Sequence, residues 1–275
     1  MTVTAEFASS QINRLLRNLT AQIRKTLRLA DADAVHELRV RIRRFDQALL
    51  LFAELLEKKH VRKTRRRLKE LMALAGAVRN CDIADELIGA RFSGAQKEID
   101  NKRESARQSL AHALRCWIDE RYSSKLSDWL RVTGAREVEK INLPRLTREF
   151  IRLGGKAVES RSPAALHKFR IAAKHYRYTL ELVAPIVGRR KAERHLSVTK
   201  TVQTRLGNVN DCETVRTMAA DWHLGREVDR FLKKRERRQM EEFHNEWNAQ
   251  FADPKQSRRW AANLWDAARK AACGK

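Results

Sequence analysis

The chain has 275 residues, with 58 Lys and Arg against 34 Asp and Glu and a net charge of +24. Apolar residues make up 43%, enough to build a core and too many for a basic disordered tail. Such self-repulsion calls for an anionic partner, and four prolines and ten glycines are too few for the turns of an all-β domain.

The N-terminal stretch MTVTAEFASSQINRLL has no basic region followed by an apolar run, so no signal peptide is expected. Ile12, Leu15, Leu16, Leu19, Ile23 and Leu27 recur at three and four residues and predict a first amphipathic helix. Its other side carries Arg14, Arg17, Lys25 and Arg28. Asp31 or Asp33 can cap a second helix, whose core stripe is Leu38, Ile42, Phe45, Leu49 and Phe52. His36, Arg39, Arg43 and Gln47 share roughly the opposite face. A third helix is expected from Lys59 to Ala75, with Gly76 as its C-terminal cap and Asn80 or Asp82 starting a fourth. A long charged helix should follow from Ala95 to Tyr122.

The second half repeats this plan. VHELRVRIRRFDQALLLF from Val35 is answered by LHKFRIAAKHYRYTLELV from Leu166, and His36 and His167 lie 131 residues apart. The same offset pairs Arg14 with Arg145, Arg17 with Arg148, Lys25 with Lys156, Lys69 with Lys200, Gly76 with Gly207 and Cys81 with Cys212. An offset kept without insertion argues for duplication, with two halves related by an approximate two-fold. The boundary is expected between Val132 and Glu137, around Gly134. This gives a first repeat over residues 1–133 and a second over 134–275, joined in one composite domain. Pro144 and Pro163 fall at first turns of helices, Pro185 is expected to end one, and a short amphipathic helix lies beyond Trp260. The expected fold is all-α: two helical bundles packed together.

The cationic faces are poor in acids and recur at matched positions, unlike the mixed charges of a merely solubilising surface. Arginine offers a planar fork that fits phosphate oxygens, lysine adds compact charge, and histidine adjusts affinity near neutral pH. Several aligned cations imply an extended ligand with many charges. Cys81, Cys116, Cys212 and Cys273 form no CxxC pair and read as small hydrophobes in a reducing compartment. No apolar run is long enough to span a membrane, so the default location is the cytoplasm.

At these residues the chain resembles the CHAD family, the conserved-histidine α-helical domains. The resemblance spans about residues 5 to 250 and rests on the two histidine strings, GAVRNCD from Gly76 and GNVNDC from Gly207. It implies two pseudo-symmetric bundles around a basic central channel that binds inorganic polyphosphate without catalysis, and admits association with polyphosphate granules. Members are often fused to a triphosphate-tunnel domain with an ExExK-like strand, which is absent here, so the chain resembles a stand-alone member. The residues that match are His36, Arg39, Arg43 and Arg44 in the first string, and His167, Arg170, Lys174, Arg177 and Tyr178 in the second. Arg79 belongs to the first loop segment, and Arg14, Arg17, Lys25, Lys69, Arg145, Arg148, Lys156 and Lys200 follow from the internal repeat.

Two departures stand out. Asp46 occupies the place of an arginine, opposite Arg177, and is expected to pair with Arg43 or Arg39. Asn80 replaces an aspartate in Arg79-Asn80-Cys81-Asp82. Both favour the second string for the stronger phosphate contacts. Nucleic-acid binding is the alternative suggested by the charge, but the basic faces have little aromatic interleaving for base stacking. A metal-dependent phosphohydrolase using His36 or His167 with Asp82, Asp211 and Glu213 is a third reading. VHELR lacks the HExxH spacing, and arginines stand where a metal site would gather acids. No metal or cofactor is expected.

Overall fold

A computed structural model describes residues 3–29, 31–130 and 141–272 of the chain. Among them ten α-helices follow one another: α1 Ala5–Leu29, α2 Ala32–Leu51, α3 Lys58–Ala84, α4 Ser93–Asp119, α5 Tyr122–Trp129, α6 Leu143–Ser160, α7 Pro163–Val187, α8 Arg189–Asp221, α9 Arg226–Phe251 and α10 Pro254–Ala272. The architecture is all-α. The expected boundary around Gly134 lies outside the described residues, as does Cys273.

The chain forms two compact units. The first holds the N-terminal helices from Val3 together with Thr214–Leu232; the second holds residues 141–213 and the part from Lys233 on.

In the first unit α1 packs on α2, α2 on α3 and α3 on α4. The stripe of α1 is buried at Ile12, Leu15, Leu16, Leu19 and Ile23, and that of α2 at Leu38, Ile42, Phe45 and Leu49. Each such side chain removed from water contributes roughly 1.5–3 kcal/mol. Asp31 caps α2 by accepting the Ala34 N–H at 2.6 Å, a contact that stabilises a helix by about 1 kcal/mol.

The third element departs from expectation. α3 does not stop at Gly76, nor does a new helix start at Asn80 or Asp82; it runs on to Ala84 and passes through a π-turn at Asp85–Gly89. The reason is tertiary. Gly76 is where the Arg39 guanidinium rests on α3: an added Cβ would lie 2.8 Å from its Nη1. Asp82 is buried, pairing with Arg103 at 3.3 Å, and the same guanidinium holds Asp85 at 2.6 Å and Asp100 at 3.0 Å. Burial pushes the Asp82 carboxyl above its usual range, against the pull of Arg103. Glycine and aspartate therefore serve contacts made from other helices, not helix ends.

The end of α8 and the start of α9 belong to this first unit. Val215, Ala219, Val228 and Leu232 are buried with Cys81, Ile83, Ala84, Ile88, Ala95 and Ile99, and Phe92 meets Phe231 edge-on at 5.7 Å.

In the second unit Asn142 and Ser162 cap α6 and α7, with Pro144 and Pro163 in their first turns as expected. Pro185 does not end α7. The helix continues to Val187, its last turn held by the Gly188 N–H on the Ala184 carbonyl at 3.1 Å, and Gly188 turns the chain away at φ 93°. The core here is aromatic. Phe150 lies within 6.1 Å, ring centre to ring centre, of Phe169, Tyr176, Trp247, Phe251 and Trp260. Gly154 makes room for this cluster, because any Cβ there would run into the Trp247 ring. Cys81 and Cys212 are buried, Cys116 is half-buried, and all three are free thiols.

Candidate functional site

Two cationic faces stand on these cores, one in each unit. In the first, Arg14, Arg17 and Lys25 are exposed on α1, and Arg14 donates to Gln11 at 2.6 Å. His36 is exposed near the start of α2, while Arg39, Arg43 and Arg44 are half-buried below it. Lys69 is exposed and Arg79 half-buried on α3. The close grouping is His36, Arg39, Arg43 and Arg79, drawn from α2 and α3. Partial desolvation lowers the His36 pKa below its usual value. The positive charges of Arg79, Arg43 and Arg39 lower it further, and Glu37 opposes them. The guanidinium groups around this imidazole mark a region of positive potential. Arg79 also reaches Glu86 at 2.9 Å.

Asp46 pairs neither as a brake on Arg39 nor on Arg43, as the sequence suggested. It holds Arg65 of α3, with Nε at 2.7 Å and Nη2 at 3.4 Å. Arg65 reaches across from α3 and meets both carboxylate oxygens, a bidentate contact that holds Asp46.

In the second unit Arg145, Arg148 and Lys156 are exposed on α6. Lys156 lines a groove of about 540 Å³ between α6 and α7, together with Lys168, Ile171 and His175. His167 is exposed on α7, Arg170, Lys174 and Arg177 are half-buried, and Tyr178 is buried. Arg177 is held by Glu181 and Gln203, each at 2.9 Å, and lies 5.6 Å from the Tyr178 ring centre. Lys200 is exposed on α8 and meets Glu193 at 3.2 Å. Glu86, Glu181, Gln203 and Glu193 are thus partners that the sequence reading missed. Only Glu181 carried a signal, standing four residues after Arg177 on one helix.

Among the described residues no group of three or more His, Cys, Asp or Glu side chains is arranged to hold a metal ion. Asp82, one of the acids considered for such a site, is committed to Arg103. Among the described residues no helix is long and apolar enough to cross a membrane.

An all-α chain with these basic helix faces matches a family model. The CHAD domain model covers residues 10–220, and the chain belongs to the CHAD family, a family associated with polyphosphate binding. Among solved structures it is similar to the CHAD domain from the plant Ricinus communis, with a TM-score of 0.66 and 16% identity, over 94% of this chain and 91% of that one. It is also similar to PptA from Streptomyces chartreusis, with a TM-score of 0.56 and 16% identity, over 96% of this chain and 99% of that one. At that identity the likeness concerns the fold. No curated protein matches the chain.

Proposed function

We propose that this protein binds inorganic polyphosphate, without catalysis, through a basic channel lined by Arg, Lys and His. The observation that carries this reading is the grouping of His36 with Arg79, Arg43 and Arg39: beyond partial desolvation, their positive charges lower the imidazole pKa. Membership of the CHAD family supports the choice of ligand. The mechanism is electrostatic. Cations displace the counterions of the polymer, arginine forks hold single phosphates, and affinity falls steeply with salt, by analogy with nucleic acids. His36 adds a pH term: a bound phosphate favours the imidazolium, so binding takes up a proton and tightens as pH falls below neutrality.

We also propose that the two halves arose by duplication and are related by an approximate two-fold. The common offset and the matched order of α1–α2–α3 and α6–α7–α8 support this. The setting is cytoplasmic, with polyphosphate granules as a place of action.

The test is calorimetric binding of long-chain polyphosphate and duplex DNA at matched salt and charge, with Arg39→Glu and Arg170→Glu variants. Polyphosphate should bind more tightly than DNA, and each reversal should weaken it by at least tenfold. Equal or tighter binding to DNA would overturn the reading. Orthophosphate release with a divalent metal, lost in His36→Ala, would replace it with a hydrolase.

A further inference from the structure

We infer that the solvent face of the first half of α3 is a second anion-binding segment, a track along which a long polyphosphate chain runs before it reaches Arg39. The inference rests on the polyphosphate reading and adds residues outside the two histidine strings.

From Lys58 to Lys69 eight of twelve residues are Lys or Arg, with no acid among them. The fold sorts these cations into two groups. Lys58 meets Glu54 at 3.9 Å, Lys63 lies 4.7 Å from the Trp129 ring centre, Arg65 holds Asp46 at 2.7 Å and Arg67 reaches Glu120 at 3.1 Å. Lys58 and Lys63 of this group remain exposed. The other four, Lys59, Arg62, Arg66 and Lys69, are exposed as well. At 100° per residue they fall within an arc of roughly 80°. Within this group, and among the described residues, only Arg66 has an acid partner, Glu70 at 3.6 Å. An exposed pair of that kind contributes little. The stripe is about 15 Å long, at a rise of 1.5 Å per residue.

Past Glu70, which borders the stripe, the same face continues toward the C-terminal end of α3 as Ala73, Gly76 and Ala77. Gly76 is the seat of Arg39, so this face leads over small side chains to the grouping around His36. A surface built only for solubility mixes both signs. The stretch of α8 at the matching offset does mix them: Arg190, Glu193, Ser197 and Lys200 stand at the corresponding positions, so an acid lies within the stripe itself, 3.2 Å from Lys200. A stripe with no acid at any of its four positions is thus a property of α3.

A stripe of this length distinguishes ligands by reach. A short polyphosphate held near Arg39 cannot also touch Lys59, whereas a long chain can occupy both. The protein therefore favours long chains, with contacts to Lys59, Arg62 and Arg66 supplying the difference.

The test uses the full chain carrying K59E, R62E and R66E together, with a control carrying K97E, R115E and K125E, exposed cations of α4 and α5. Tripolyphosphate and long-chain polyphosphate are titrated over a salt series, and thermal melts verify the fold of each variant. The stripe variant should bind the long chain at least tenfold more weakly than the control, with a salt slope smaller by about two to three. Its tripolyphosphate affinity should equal that of the control. Long-chain binding equal to the control, or an equal loss for tripolyphosphate, would overturn the track and leave the polyphosphate reading intact. Failure of the unaltered protein to bind either phosphate would overturn both.

Discussion

The face that begins at His36 and the face that begins at His167 present the same residue types at the same spacing, yet they are seated differently. Arg39 rests on Gly76, while the matching Gly207 has open space around its α-carbon. Asp46, which looked like a brake on the first face, spends its charge on Arg65. Arg177, which looked like an extra cation on the second, is held by Glu181 and Gln203. The difference teaches that the charge of a residue does not set its availability; the partner that the fold supplies does. The case for the second string as the stronger contact is weakened accordingly.

The contrast reaches into the cores. Residues 131 positions apart are Ile23 and Gly154, Leu16 and Thr147, Phe45 and Tyr176, Thr64 and His195. Ile23 fills its own space in the first unit, whereas the Trp247 ring fills the space above Gly154 in the second. Where the first unit has Leu16 and Phe45, the second has a polar chain: Thr147 Oγ1 lies 3.3 Å from the Tyr176 hydroxyl, which hydrogen-bonds His195 Nδ1 at 2.8 Å.

The largest effects should come from breaking these two packing solutions. Ile23→Ala should cost about 2–5 kcal/mol by leaving a cavity. Gly154→Ala should cost about 1–3 kcal/mol or more by overpacking against Trp247. Chemical denaturation of each variant measures both, and a neutral Gly154→Ala would show that Trp247 is not anchored there. The next effect is acid sensitivity of the second unit. Burial lowers the His195 pKa from 6.5 to about 4, so below 6.5 the unfolded chain binds a proton that the folded chain refuses. Stability should therefore fall as pH drops from 6.5 toward 4, by up to about 3 kcal/mol. His195→Phe should flatten that part of the pH–stability curve, and an unchanged curve would exclude His195 as its source.

The smallest effect separates the two faces. Gly76→Ala and Gly207→Ala should each gain up to about 1 kcal/mol of helix stability. Only Gly76→Ala pushes a flexible guanidinium aside, so it alone should weaken polyphosphate binding, by several-fold in titration. Equal binding by both variants would show that the seat of Arg39 does not matter.

Much of the fold was legible because it is written in local periodicity: the stripes of α1 and α2, the Asp31 cap, and the prolines opening α6 and α7. What stayed hidden depends on residues distant in the chain. Gly76 looks like a helix end until Arg39 is laid on it, and Asp82 looks like a cap until Arg103 arrives from α4. The Trp247 ring at Gly154 comes from 93 residues away. The cations of the site were legible as a set, since they share helix faces. Their sorting into held and exposed groups was not, because Asp46 with Arg65 and Arg177 with Gln203 are contacts between helices.

The lodging of the α8–α9 tip in the first unit has a consequence for synthesis. Ile83, Ile88 and Ile99 are covered by Val215, Ala219, Val228 and Leu232, which leave the ribosome more than a hundred residues later. The N-terminal helices thus wait, with an apolar patch open to water, until most of the chain has been made. This long-range closure is the step at which a nascent chain is most exposed to aggregation. A fragment ending at residue 130 carries the whole first histidine string but leaves that patch uncovered, so the first unit is completed only by the second half of its own chain.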